Sequence, residues 1–441
     1  MRLRTQAVAG LVAVVALVAA GCGDDDDGAS SSTSVASAAT TAASGTGGST
    51  AAPNTASAPG VAPDTVKVGM ITSLTGPFAS TFGVAGEAAQ ARIETENAKG
   101  GVHGRTIQLE LVDDASSPDQ NLKAAQTLIE QKDVFAVISV SSFVAGSYRY
   151  LNEQGIPVTG APLGGPMWGQ EPNRNMFSYS GGYDPTSPAS TLDGLFLKSI
   201  GATKSAVLGY GNSPSSAISI KQEVFSHEAA GIDVVYENIS IPIGGVDFTA
   251  PVLDIKKSGA DVVVGSFVEA SDVALATALK QGDVDAKQLY FTGYGQSLLD
   301  QPTAKEAAQG VYFKTQTAPF ELKTPGTEAM LAALEEHAPS YDGGIPSAGM
   351  VFGWQAADLM IRGLQEAGQN PTRESFITNL TAVTDYDGAG LLPAPVSFDH
   401  FGTYEEQQCA WFVQLDGEQF VPVPADGKPM CGTLIPNSAT S

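Results

Sequence analysis

Val66-Lys67-Val68-Gly69-Met70-Ile71-Thr72 runs into Ser73-Leu74-Thr75-Gly76-Pro77-Phe78, and Ala98-Lys99-Gly100-Gly101-Val102-His103-Gly104-Arg105 closes the same stretch. The first part alternates apolar and polar residues and is rich in β-branched types, which predicts a strand. Gly76-Pro77 breaks it. From Gly83 to Asn97 small and apolar residues recur at helical spacing, and Gly100-Gly101 stops and turns that helix. Thr106 to Val112 predicts a second strand. A strand, a helix and a strand in this order make a βαβ unit, which needs a sheet with helices packed on it.

The alternation continues outward. Pro118 to Gln131 reads as a helix, Phe135 to Val140 as a buried strand, Ser141 to Glu153 as a helix and Pro157 to Thr159 as a strand before a Gly/Pro-rich loop from Gly160 to Gly169. This regularity implies a parallel sheet covered by helices on both faces. The pattern then restarts. Strands are expected at Ser205 to Gly209, Val234 to Ile239, Asp261 to Gly265 and Leu289 to Thr292. Helices between them are expected at Leu192 to Ile200, Ala217 to Ala229, Phe248 to Lys257 and from about Ser271. Val311 to Gln316 starts strand-like, and helices follow at Thr327 to His337, Gly349 to Ala367 and Arg373 to Leu380. The end is β-rich, at Val396 to Phe398, Cys409 to Leu415 and Gln419 to Val423.

Thr75-Gly76-Pro77, Asn97 to Gly101, Gly104-Arg105 and Asp113-Asp114, at these spacings, resemble the opening of type I periplasmic binding proteins of the branched-chain amino acid group. Ala394-Pro395-Val396-Ser397-Phe398-Asp399 and Asp416-Gly417-Glu418-Gln419-Phe420-Val421-Pro422 extend the resemblance to about Pro422. The resemblance implies a two-lobed α/β fold, each lobe a mostly parallel sheet flanked by helices, with a ligand cleft between the lobes. It implies three chain crossings, near Gly181 to Tyr183, near Gly293 to Gly295 and after Phe398. The first lobe would then comprise 65–183 and 295–398, and the second 184–294 and 399–436.

The N-terminus belongs outside that fold. Arg2 and Arg4 precede an apolar run from Ala7 to Ala20, too short for a retained span, so residues 1–21 read as an export signal. Small residues before Cys22 resemble a bacterial lipobox, which implies a lipid-modified Cys22 and anchoring on the outer face of the cell membrane. The alternative is ordinary cleavage leaving a spare thiol. Residues 22–64, led by Asp24 to Asp27 and then Ser, Thr, Ala and Gly, are expected to be a disordered tether. Cys409 and Cys431 in an exported chain are expected to pair, with two free thiols as the alternative.

Acidic residues outnumber basic ones by 47 to 23 and the pI is about 4.4, which excludes a nucleic-acid partner. There is no G-x-S-x-G elbow, no H-E-x-x-H, no Cys-His cluster and no G-x-x-x-x-G-K-[ST]. The four histidines, at 103, 227, 337 and 400, are scattered. No catalytic set, metal site or cofactor is expected.

Ligands of an open parallel sheet lie beyond the carboxyl ends of its strands. Ser141-Ser142 ends one strand at an expected helix start, where free N–H groups and hydroxyls suit a carboxylate; Ser142 could equally cap its own helix. The resemblance implies the carboxylate role. It also implies a ligand loop at Ala161 to Leu163, where Leu163 replaces the family's usual Thr. Trp168 either walls the pocket or covers the core. Phe78 or Phe82 stands where the family sets an aromatic over the ligand. Glu269 is the counterpart of the acid that pairs with a ligand ammonium; Asp272 competes for the role, and either could cap a helix. Pro214-Ser215 replaces the family's aromatic–Gly pair, leaving Tyr210 and Tyr294 as further aromatic candidates. The expected protein is the solute-binding component of an ABC importer, with separate permease and ATPase chains as partners. Its ligand is a small carboxylate-bearing molecule such as a branched-chain amino acid. An aromatic acid, an amide or another apolar metabolite is the alternative, as is a sensor role or, as a third class, a hydrolase.

Overall fold

The computed structural model describes residues 53–165, 167–169, 171–180, 189–399 and 407–435. The export signal, Cys22 and most of the tether lie outside the described residues, as do the crossing near Gly181 to Tyr183 and residues 400–406 after Asp399.

The first sheet holds five parallel strands: β1 (Thr65–Thr72), β2 (Thr106–Asp113), β3 (Ala136–Val140), β4 (Val158–Gly160) and β5 (Met176–Ser178), in the order β2-β1-β3-β4-β5. β3 is buried along its whole length, as a strand covered on both faces must be. The second sheet takes β6 (Lys204–Tyr210), β7 (Asp233–Ile241), β8 (Val262–Ser266), β9 (Lys287–Tyr290), β10 (Tyr312–Thr315), β11 (Gln407–Asp416), β12 (Gln419–Val423) and β13 (Met430–Thr433). Its order is β12-β11-β10-β9-β8-β6-β7, with β13 paired to β11. It is parallel from β7 to β10 and antiparallel beyond. Cys409 and Cys431 face each other across β11 and β13 and are bonded. The bridge closes a loop with a sequence separation of 22.

Several expectations need correction. Ser141 to Glu153 is not one helix: a 3₁₀ turn at Val144–Gly146 precedes a helix at Tyr148–Glu153. Val396 to Phe398 forms no strand, only a bridge from Val396 to Tyr386. β5 and β13 are too short to carry a periodic signal. β10 is hydrogen-bonded between β9 and β11, so it belongs to the second sheet, and the middle crossing comes after Thr315 rather than at Gly293 to Gly295. The tether also ends early. Asn54 donates to the carbonyls of Pro63 and His103, Thr55 N–H donates to Asn370, and Val61 is buried. A polar composition allowed disorder there, but Arg105 and Asn370 supply partners that capture the segment; Arg105 donates to the carbonyls of Thr55, Ala62 and Gln369.

The helix Ala348–Glu366 is the main buttress of the first lobe, packing on the helix Ala85–Ala98 and on β4. Thr159 in β4 donates to its Ala356 carbonyl. A methyl group at Gly353 would run into the Ala85 carbonyl, so the bare backbone is what lets the two helices approach. Arg92 locks them laterally, bonded to Asp358 at 2.8 Å and Glu96 at 3.1 Å.

Candidate functional site

The Asp113-Asp114 pair organises the strand ends. Asp113 accepts from the N–H groups of Leu74, Thr75 and Ala115 and from the Thr75 hydroxyl. Its own burial opposes ionisation, but these donors hold its pKa below the ordinary aspartate value. Asp114 is fully buried and accepts from Ser73, Ser116, Asn121 and Ser141. Two carboxylates thus tie together the loops after β1, β2 and β3. Gly76 sits between them at φ +85°, and a methyl there would meet the Ser116 oxygen at 2.7 Å.

The chain after β1 and after β3 helps to form one wall of a cavity of about 340 Å³ that takes residues from both lobes. Its middle is aromatic. Phe78 and Phe82 of the first lobe stack at 6.0 Å, and Phe78 reaches Tyr210 of the second at 6.4 Å. Tyr210 in turn packs edge-on against Phe267 at 4.8 Å and donates to Ser271 at 2.7 Å.

The polar groups divide by wall. On the first-lobe side Ser142, Thr81 and Gln355 line the cavity. The Thr81 hydroxyl and both ends of the Gln355 amide are buried without a hydrogen-bond partner among the described residues. Gln355 is 1 % exposed. On the second-lobe side stand Asp193, Glu223 and Lys314. Lys314 Nζ lies 2.6 Å from Asp193 Oδ2 and 5.5 Å from the centre of the Phe291 ring. His227, one turn below Glu223, places Nε2 3.2 Å from Glu223 Oε2 and Nδ1 2.9 Å from the Ser205 hydroxyl. Burial and the nearby Asp193 push Glu223 up to about 7 against the pull of His227 and Lys314. Burial also opposes the Lys314 charge, yet Asp193 and Glu223 raise its pKa above the ordinary lysine value.

A family model described as periplasmic binding protein matches residues 65–419. The chain belongs to the periplasmic binding proteins. Among relatives, the Leu/Ile/Val-binding protein homolog 3 of Brucella melitensis is 26% identical over 352 residues, covering 76% of this chain and 90% of its own. The leucine-, isoleucine-, valine-, threonine- and alanine-binding protein of Pseudomonas aeruginosa is 26% identical over 317 residues, covering 70% and 80%. A solute-binding protein of an R. palustris ABC transporter, solved with benzoate, shares the fold at TM-score 0.67 and 19% identity, over 85% of this chain and 98% of that one. So does LivJ of Streptococcus pneumoniae, solved with isoleucine, at TM-score 0.67 and 18% identity over 81% and 98%. This periplasmic binding protein is therefore a non-enzymatic solute-binding protein of an extracytoplasmic family. Among the described residues no helix is long and apolar enough to cross a membrane.

In this binding protein the sequence candidates separate. Phe82, Ser142, Leu163, Tyr210, Ser215 and Tyr294 line the cavity. Phe78 lines it as well, so the two phenylalanines are not alternatives. Ser141 does not: its hydroxyl is held by Asp114 and accepts from Phe143 N–H. Ala161 is fully buried and does not line the cavity. Trp168 is core, and its ring N–H donates to the Leu163 carbonyl at 2.7 Å, so it props the wall from behind. Glu269 is turned away and accepts from Ser297. Asp272 is buried against Thr292, and burial drives its pKa well above the ordinary aspartate value. Tyr294 spends its hydroxyl on Glu321 and on Phe320 N–H. Thr81, Gln355, Asp193, Glu223 and Lys314 were not anticipated. Each sits in an ordinary helix or strand, where a polar residue reads as solvated until a second lobe covers it.

Proposed function

We propose that the protein is the extracytoplasmic receptor of an ABC importer, anchored through Cys22, that captures a small solute with an apolar body and a carboxylate and passes it to a permease. Branched-chain amino acids are the leading candidates. The observation that carries this reading is the first-lobe wall. There, the Thr81 hydroxyl and the Gln355 amide, unpartnered within the described protein, face an apolar aromatic cavity beside Ser142. Buried polar groups of this kind are costly unless a ligand completes them. The Pseudomonas aeruginosa relative, named for binding leucine, isoleucine and valine among others, supports the same ligand class.

A second reading is an aromatic acid. Leu163 supplies no hydroxyl, the cavity's centre is built from rings, and a protein of the same fold was solved with benzoate. A thermal-shift screen of the purified protein against amino acids, benzoates, amides and polyols separates the two. A ligand at a hundred times its Kd should add about 2.7 kcal/mol of stability. A shift with leucine, isoleucine or valine supports the first reading, a shift only with benzoates the second. A shift only with polyols sinks both.

A further inference from the structure

Two of the three charged side chains that line the cavity among the described residues are acidic, and all three stand on the second-lobe wall. Asp193 is 6 % exposed and Glu223 4 %. Asp193 gives one oxygen to Lys314, while its Oδ1 has no hydrogen-bond partner. Glu223 Oε2 has none either, although His227 stands close. Lys314 therefore hydrogen-bonds one carboxylate and attracts the other from a distance, and the wall keeps acceptor capacity in surplus. A ligand carboxylate arriving here would meet two acids and a lysine already engaged. A ligand N–H group would meet Asp193 Oδ1, which needs a donor, beside the Glu223 carboxyl group, whose Oε2 has only His227 near it at 3.2 Å.

We propose that this wall is a second subsite, in which Asp193 and Glu223 grip an ammonium group of the solute with Lys314 as the resident counter-charge. The inference rests on the carboxylate reading of the first-lobe wall and departs from the branched-chain candidates, whose ammonium sits on the carbon that bears the carboxylate. The solute carries its ammonium on the opposite wall from its carboxylate, with the aromatic middle of the cavity around the carbon chain between them. That is the class of ω-amino acids. Glu223 is faced by Asp193, Lys314 and His227, and its pKa is raised first by burial and then by Asp193. Lys314 already rests over the Phe291 ring, which holds the resident cation at this end of the cavity.

The test is calorimetric titration of the full chain with three series of three to eight carbons: straight-chain carboxylates, ω-amino acids and α,ω-diamines. The proposal expects the best ω-amino acid to bind about tenfold or more tightly than its chain-matched carboxylate. Glu223→Gln should collapse that ratio. Lys314→Met, which removes the resident cation, should instead tighten binding of the amines. A purely structural ion cluster would move folding stability in both variants without reversing the sign of the amine effect. Carboxylates binding as well as their ω-amino partners would overturn the subsite and leave the carboxylate reading intact. Diamines binding while no carboxylate does would keep the subsite and remove the reading beneath it. No ω-amino acid or diamine binding at any length would reject the proposal.

Discussion

Gln355 shows what a single side chain contributes here. Its amide is buried with neither end paired among the described residues, yet it lines the cavity. Gln355→Leu should lower solute affinity about tenfold, as loss of a buried hydrogen-bonding group does. Calorimetry would read that loss, while the melting temperature of the unliganded protein should hold or rise, because an unpartnered buried amide has been removed. Glu223 belongs to the same scale and has a sign. Its pKa in the fold is raised, from 4.5 to about 7. Between those values the folded chain holds a proton that the unfolded chain has released, so the contribution of Glu223 to stability is full below the lower value and is lost as pH rises through the upper one. Urea unfolding at about pH 5 and about pH 8 should show wild type losing more stability than Glu223→Gln over that interval.

At the scale of elements, the contact between helices Ala85–Ala98 and Ala348–Glu366 carries the first lobe. Small residues make it: Ala85, Ala88 and Ala89 are buried on one helix and Gly353 meets Ala85 from the other, while Gly349 lies against Thr81 and Phe82 just before the first helix. Gly353→Ala would force its methyl onto the Ala85 carbonyl, and overpacking of this kind costs about 1–3 kcal/mol. Chemical denaturation would measure it, and a variant as stable as wild type would show that the helices can part without loss. Solute affinity should fall too, because Gln355 rides on the same helix and Thr81 on the turn beneath it. The second lobe is closed at its far edge by the Cys409–Cys431 bridge, whose loop length is worth about 3 kcal/mol through the unfolded chain.

For the whole molecule, one apolar cluster extends from Met70, Phe78 and Phe82 of the first lobe to Tyr210 and Phe267 of the second. Separate clusters back each sheet on its far side. The lobes thus have independent outer cores and share an inner one at the cleft. That arrangement lets them rotate as bodies while the shared aromatic surface changes how much of itself it buries. Small-angle scattering should record a smaller radius of gyration with saturating solute than without it. An unchanged radius would mean that capture involves no closure.

Fold and family were legible locally. Strand–helix alternation, the Asn97 to Gly101 helix stop and the Asp113-Asp114 turn are written in neighbouring residues, and short-range physics determines them. Half-buried strands, glycine stops and β-branched runs behave alike wherever the chain goes. The site was legible only where it lies in strand-end loops, as at Ser142, Leu163 and Tyr210. Whether Glu269 or Glu223 faces the cleft was decided by packing. Both are glutamates on helices, one of which turns its carboxylate to Ser297 and the other toward Lys314 and the cavity. The same holds for Tyr312–Thr315, whose residues read as a strand anywhere but whose sheet was chosen by its partners β9 and β11. The sequence alone determined the strand–helix alternation and the family to which it belongs. Tertiary structure decided which side chains meet across the cleft, because that depends on contacts between residues far apart in the chain, and local periodicity carries no information about them.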